Sequence, residues 1–394
     1  MINVDIVFFD AGGGHRAAAE ALRLVMEEQG EWKIRLVNLQ ELMDPVDWVR
    51  RLSGLRMQDL YNLMLKKGWT LGTPQTVRIL QFLIRLVHAQ AVRILEEFWR
   101  SSGSDLVVSV VPHFNRALAE SLRHTRPTTC FVTVLTDIAD YPPHFWIEPL
   151  GGDIICGSDR AVTQARAMGI SDSRIFPASG MIIHPRFYQT VSCDPRMERT
   201  QRGLDPDAPT GLVLFGGQGS ETMLEIIERL EVEGPQHLQL IFICGRNEKL
   251  AARLRNRRNR LRMLVEGFTT QVPFYMAISD FFIGKPGPGS ISEAVAMRLP
   301  VIVERNAWTL PQERYNADWI LENDLGLVVR GPQQIPAAIK EMLERGNLAR
   351  FRAQAGTIHN RAVYEIPSIL RGIVEGNHAA PAVEPQRLLS EQRA

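Results

Sequence analysis

The sequence predicts an α/β protein built as two doubly wound, Rossmann-like domains facing a cleft. Short apolar, β-branched runs alternate with helical stretches along most of the chain, which is the rhythm of βα units and parallel sheets. Several of these runs end in glycine-rich loops that open a helix, at Gly12 to Gly14, Gly216 to Gly219 and Gly284 to Gly289. The rhythm breaks over a Pro-, Asp- and Arg-rich stretch before Pro209 and then restarts. We therefore place an N-terminal domain at 1–185, a linker at 186–209, a second domain at 210–372 whose last helices can pack back on the first, and a frayed tail at 373–394.

A chain of 394 residues is long enough for two domains with full cores. A net charge of +1 argues against a nucleic-acid partner. The four cysteines (Cys130, Cys156, Cys193, Cys244) are scattered, which fits reduced thiols and neither a zinc site nor a disulfide frame. No basic segment precedes an apolar run at the start, and the longest apolar stretches fall short of the roughly 20 residues of a membrane span. The expectation is a cytoplasmic protein, soluble or peripheral to a membrane.

In the first half, Val4 to Phe9 reads as a buried strand, followed by Asp10-Ala-Gly-Gly-Gly-His15-Arg16 and a helix to Met26. The spacing is not GxGxxG, which disfavours a dinucleotide site. His15 at the loop-to-helix junction is either a general base or a surface histidine near a helix start. After a strand at Lys33 to Leu39, residues 44–100 read as a helical insertion. Its Arg50 to Trp69 part, just after Trp48, mixes bases with aromatics (Arg51, Tyr61, Trp69), which suits an anionic membrane surface; the long helix from Val77 to Trp99 suits packing on the sheet. Strands return at Asp105 to Val111 and Thr129 to Leu135. The latter ends in Thr136-Asp137, then Asp140-Tyr-Pro-Pro-His144-Phe-Trp146. Asp137 lies where ligands bind in open α/β sheets, as a base or a partner of His15, or else it caps a turn. Short strands at Asp153 to Cys156 and Arg174 to Ala178 close the half.

In the second half, Leu212 to Phe215 leads into Gly216-Gly-Gln-Gly219-Ser220 and a helix. Leu238 to Ile243 leads into Cys244-Gly-Arg-Asn247 and an Arg-rich helix, read as a solvated face with lipid contact as the lesser option. Met263 to Glu266 precedes Gly267-Phe-Thr-Thr-Gln271. Asp280 to Ile283 then runs into Gly284-Lys-Pro-Gly-Pro-Gly-Ser290 and a helix bearing Glu293. Glycines admit close backbone approach, and free N–H groups at a helix start attract anions, so this loop is a diphosphate site or an ordinary βα turn. Glu293 is a ligand carboxylate or a first-turn acid; Gln312 and Glu313 are ligand contacts or a helix-start pair.

These motifs together resemble the GT-B glycosyltransferases that include monogalactosyldiacylglycerol synthases and processive diacylglycerol glucosyltransferases (family 28-like) and, more distantly, the lipid-II-forming N-acetylglucosaminyltransferase. The resemblance rests on Asp10 to Arg16, Val134 to Asp137, Phe215 to Gly219, Cys244 to Asn247, Gly267 to Gln271, Lys285 to Glu293 and Pro311 to Asn316, and it spans most of the chain. It implies a GT-B fold and a metal-independent, inverting transfer from a UDP-sugar to a lipid hydroxyl, with no cofactor. It implies His15 or Asp137 as the group that takes the acceptor proton, and Glu293 on the ribose. Phe268 and Thr269 would lie by the uracil, and the Gly216-Gly217-Gly219-Ser220 and Gly287-Gly289-Ser290 backbones on the diphosphate. Gln312 and Glu313 would read the sugar. Gly13, Gly14, Arg246, Lys285 and Asn316 complete the implied donor site. Trp48, Arg51, Tyr61, Trp69, His144 and Trp146 would face acceptor and membrane. The galactolipid synthases carry His-Pro soon after the Thr-Asp; here the histidine is displaced to His144, which bears on the acceptor side. The implied partners are a UDP-sugar, diacylglycerol and the inner face of the cell membrane. The alternatives are a UDP-sugar (UDP-N-acetylglucosamine included) with another lipid, a UDP-sugar 2-epimerase, and a non-catalytic nucleotide-sugar sensor.

Overall fold

The computed structural model describes residues 1–10, 13–46, 73–141, 143–258, 260–307 and 309–376, with the backbone alone at 46 and 73–83. Its strands are β1 Ile2–Phe8, β2 Trp32–Asn38, β3 Leu106–Ser109, β4 Cys130–Val134, β5 Asp153–Cys156, β6 Ile175–Pro177, β7 Thr210–Leu214, β8 Gln239–Ile243, β9 Arg262–Glu266, β10 Phe281–Gly284, β11 Val301–Glu304 and β12 Gly326–Val329. They form two parallel six-stranded sheets, ordered β2-β1-β3-β4-β5-β6 and β12-β11-β10-β7-β8-β9. The α/β class and the two doubly wound halves are as expected. Parallel strands are covered by helices on both faces, which is why β7, β8 and β10 are buried along their whole length. Strand order reverses between β1 and β3 in the first sheet and between β7 and β10 in the second. The crevice beyond the carboxyl ends at such a point is where open α/β sheets bind ligands. Those ends lead into the Gly13, Gly216 and Lys285 loops.

The helices are α1 Gly14–Glu28, α2 Leu39–Leu42, α3 Thr73–Ser101, α4 Asn115–Thr125, α5 Asp159–Ala167, α6 Pro195–Gln201, α7 Thr222–Glu233, α8 Glu248–Arg255, α9 Val272–Ala277, α10 Pro288–Ala296, α11 Arg314–Glu322, α12 Ile335–Leu343, α13 Asn347–Ala355 and α14 Ala362–Val374. On one face of the first sheet, Leu22, Val25 and Met26 of α1 pack with Ile6, Val108 and Val132. Val363, Ile366, Ile369 and Leu370 of α14 join the same core, so the chain's last described helix returns to the first half. On the other face lie Ala91, Val92, Leu95 and Trp99 of α3, at helical spacing, against Val7, Val107 and Leu118. Trp99 keeps its indole N–H satisfied on Ser121 Oγ at 2.9 Å. The described C-terminal part of α3 therefore packs on the sheet.

Residues 186–209 are not a bare linker. Phe187 enters the second half's core with Leu212 and Phe282. Arg199 of α6 is buried, donating to the Ile278 carbonyl at 2.8 Å and pairing with Asp280 at 3.0 Å. Local composition resembles a linker, but a long-range guanidinium bond ties the segment down. The Arg-rich α8 and the turn after it are braced by α7 and its cap: Arg253 pairs with Glu221, and Arg257 with Glu228 and Glu231. Among the described residues no helix is long and apolar enough to cross a membrane.

Candidate active site

The donor side is built by two loops at the switch point of the second sheet. Gly216 and Gly219 take the left-handed conformation (φ 76° and 63°), and a Cβ at Gly219 would stand 2.6 Å from the Cys244 carbonyl oxygen. Gly245 (φ 57°) leaves a Cβ only 2.3 Å from the Gly217 oxygen, which accepts the Arg246 amide at 2.9 Å. Only glycine allows these loops to lie backbone to backbone. Nothing lies within 4 Å of a Cβ placed at Gly217 or Gly289, so their backbones are open to approach. Next to them, Gly287 caps α10 and Pro288 is its first residue. Proline has no N–H, so the first donors of α10 come from Gly289 and Ser290. Ser220 Oγ turns back to bond Thr222 Oγ1 at 2.9 Å.

Lys285 Nζ contacts Glu313 Oε1 at 2.8 Å, and its stem lies over Gly216 and Gly287. A cation thus sits among the glycines, held by a buried carboxylate. Asn316 is fully buried and donates to the Pro286 carbonyl at 2.7 Å. It braces the Lys285 loop, while its Oδ1, also buried, has no hydrogen-bond partner among the described residues. The side-chain carboxyl of Glu293, on α10, has no hydrogen-bond partner among the described residues. Burial pushes its carboxyl up to about 8, against the pull of Arg186. Arg186 also donates to the Thr270 carbonyl at 2.7 Å, linking Glu293 to the Gly267 to Gln271 loop. On that loop Phe268 is 59% exposed, with the Arg246 guanidinium 5.3 Å over its ring, and Thr269 Oγ1 caps Gln271 N at 3.0 Å. Gln312 is half-buried in the turn Pro311–Glu313 that precedes α11.

Across the cleft, the first sheet's strand ends carry a polar cluster. Gly13 (φ 85°) caps α1, with no atom near a Cβ at Gly13 or Gly14. His15 Nδ1 shares a hydrogen bond with Thr136 Oγ1 at 3.0 Å. Burial lowers its imidazole to about 4, and a bond to the Val110 backbone offsets this only in part. Asp137 is buried, and its Oδ2 accepts Trp146 Nε1–H at 2.8 Å. Burial pushes this carboxyl up to about 7; the indole N–H and Lys285 pull it down, while Glu313 and Asp140 add to the rise. Trp146 bridges the pair, its ring 5.8 Å from His15. His113, left-handed at φ 68° after β3, stands against Phe145 and is lowered to about 4 by burial and by His15.

Trp146 is only 1% exposed, so its ring does not lie on a membrane-facing surface, which corrects that part of its assignment. Asp140 is the cause: its carboxylate accepts the Trp146 amide at 2.7 Å and the His144 amide at 3.1 Å, folding the segment inward. His144 stays exposed, with φ at 66°. Trp48, Arg51, Tyr61 and Trp69 lie outside the described residues. The structure thus groups His15 with Asp137 on one wall, and Lys285, Glu313 and the glycine loops on the other; Asp137 is close enough to feel both Lys285 and Glu313. His113 and Arg186 were not singled out from sequence. Pro112-His113 directly after a strand end was the available signal for the first; Arg186 follows a His-Pro turn and had none.

Residues 211–354 match the glycosyltransferase family 28 C-terminal domain. The chain is 28% identical over 384 residues to the chloroplast monogalactosyldiacylglycerol synthase of Spinacia oleracea, covering 92% of this chain and 70% of that protein. It is 28% identical over 352 residues to monogalactosyldiacylglycerol synthase 1 of Arabidopsis thaliana, covering 85% of this chain but 64% of that one, under two thirds of its length. Among solved structures it superposes on S. aureus MnaA in its co-structure with UDP (TM-score 0.61, 13% identity, 97% of this chain and 99% of that). It also superposes on Acinetobacter baumannii MurG (TM-score 0.58, 12% identity, 94% and 99%). At such identities these two show the fold, and it is the GT-B architecture.

Proposed function

For a glycosyltransferase whose residues 211–354 match the family 28 C-terminal domain, we propose an inverting transfer of a hexose from UDP-galactose or UDP-glucose to the hydroxyl of diacylglycerol. The observation that carries this reading is the Lys285–Glu313 pair, 2.8 Å apart among the glycine loops, whose charges also act on Asp137 across the cleft. It sets an acid–base cluster opposite an anion-binding helix start. Similarity to galactolipid synthases over 92% of the chain supports the acceptor class.

The diphosphate takes the Gly289 and Ser290 amides and the Gly216 to Gly219 backbone, with Lys285 as counter-charge. Glu293, raised to about 8, carries a proton at neutral pH and can both donate to and accept from ribose hydroxyls. Phe268 offers a face to the uracil. The bond from the anomeric carbon to the diphosphate oxygen breaks, and UDP leaves with the electron pair. The acceptor oxygen bonds to that carbon from the opposite face, and its proton passes to His15. An imidazole lowered to about 4 is a weak base, but it is fully neutral at pH 7. The alcohol proton becomes strongly acidic once its oxygen bonds an oxocarbenium-like carbon, so a weak base suffices. Asp137, ionised above about 7, stabilises the imidazolium that forms.

Fixed N–H dipoles and Lys285 supply the positive charge, so transfer is expected to survive chelation by EDTA. The acceptor is insoluble in water, and the enzyme is expected to work as a peripheral protein on anionic lipid at the inner face of the cell membrane. The test is incubation with UDP-galactose, UDP-glucose and UDP-N-acetylglucosamine over diacylglycerol vesicles and a total lipid extract, with products read by mass. Hexosyl-diacylglycerol is expected. An N-acetylhexosaminyl lipid alone, or an epimerised sugar with no lipid product, would overturn the reading.

A further inference from the structure

A contact between the halves lies beside the reacting groups. Tyr141 of the first half and Tyr315 of α11 bring their rings to 5.9 Å, tilted by 35°. Arg160, on α5, places its guanidinium 6.0 Å from the Tyr141 centroid and 5.8 Å from that of Tyr315. It also donates to the Tyr141 hydroxyl at 2.7 Å. Tyr315 is oriented in turn by its bond to Glu322 at 2.9 Å.

Each side of this contact is rigidly joined to one wall of the site. On the first half, Ser158 caps α5 by accepting the Ala161 amide at 3.1 Å and donates its own hydroxyl to the Ile138 carbonyl, one residue past Asp137. Gln164 exchanges a pair of bonds with the Asp140 backbone, at 2.8 and 3.0 Å. Helix α5 and the Asp137 to Tyr141 loop are therefore tied together at two points. On the second half, Glu313 of the Lys285 pair lies just before Tyr315, and Asn316, which braces Pro286, lies just after.

We propose that Arg160 is a positioning residue: with Tyr141 and Tyr315 it clasps the cleft and holds the His15–Asp137 wall in register with the Lys285–Glu313 wall. The proposal rests on the reading of this cleft as the transfer site. Arg160 is exposed, and a guanidinium–aromatic pair at an exposed site is worth roughly 2- to 5-fold, so its two ring contacts together shift a two-state opening by roughly 10-fold. The UDP contacts of the proposed reading (Gly216 to Gly219, Phe268, Lys285, Gly289, Ser290 and Glu293) lie in the second half, so losing the clasp separates the walls without weakening UDP.

The test compares Arg160→Gln, Tyr315→Ala and Tyr315→Phe in the full chain. Arg160→Gln and Tyr315→Ala are expected to lower kcat roughly 10-fold while the calorimetric UDP affinity stays within about 2-fold. Tyr315→Phe keeps the ring and is expected to restore kcat. Small-angle X-ray scattering should show a larger radius for the first two variants, with and without UDP. Unchanged kcat in both, an equal loss of UDP affinity, or scattering identical to the parent would overturn the proposal. If the parent transfers to no lipid at all, the scattering still decides, so failure of the clasp and failure of the functional reading are distinguishable.

Discussion

Replacing Trp146 with Phe isolates the proton balance of the site. The indole N–H donates to Asp137 Oδ2 at 2.8 Å and favours the ionised carboxylate. Without it the carboxyl must rise further above about 7. A hydrogen bond to a charged group is worth about 1.5–3 kcal/mol, and each pKa unit is about 1.36 kcal/mol, so the shift is roughly 1–2 units. The assay is the pH–rate profile of transfer at saturating donor. The acid limb set by Asp137 is expected to move from near 7 to between about 8 and 9, so that activity lost at pH 7 returns at pH 9. Trp146 is buried, so the smaller ring also leaves a void costing roughly 1–3 kcal/mol; rates are compared well below the melting point. A limb that stays in place, or a loss of equal size at every pH, would refute the assignment of that limb to Asp137.

Other variants test the donor wall. Glu293→Gln removes a carboxyl whose folded pKa is raised to about 8 from 4.5. The folded protein holds a proton there that the unfolded chain has lost, so the wild type's stability falls as pH rises from about 4.5 and the penalty is complete above about 8. The variant should therefore melt higher than wild type at pH 8.5, by differential scanning fluorimetry, yet match it at pH 4.5 and bind UDP more weakly. Lys285→Met leaves the buried Glu313 unpaired, and a urea titration should show a loss of roughly 1–3 kcal/mol, with weaker UDP binding by calorimetry. Gly219→Ala would drive a methyl to 2.6 Å from the Cys244 carbonyl in a left-handed backbone, so UDP affinity should fall at least about 10-fold. The same substitution at Gly289, where no atom lies within 4 Å, should leave the unliganded protein's melting point unchanged.

Much of the fold was legible because parallel βα units write a strong local signal. Apolar β-branched runs end at glycines, and both faces of the strands are buried. The donor loops were legible for the same reason: Gly216 and Gly219 stand where only a turn or a close approach explains them. What was misread depends on partners far along the chain. Trp146 looked like an interfacial aromatic because nothing local shows that Asp140 gathers its amide and turns the ring inward to Asp137. Residues 186–209 looked like a linker because Arg199 finds its acceptors near Ile278 and Asp280. Nor does anything local show that the Asn316 amide nitrogen reaches back to brace Pro286. Tyr141, Arg160 and Tyr315 come from both halves, and no local pattern joins them.

The most direct measurement of the central claim is the anomeric configuration of the lipid product, read by proton NMR after reaction of an α-linked UDP-hexose with diacylglycerol. Attack opposite the departing diphosphate, with His15 taking the proton, requires a β-linked hexosyl-diacylglycerol. An α-linked product, or no sugar on the lipid while UDP is released, would contradict it.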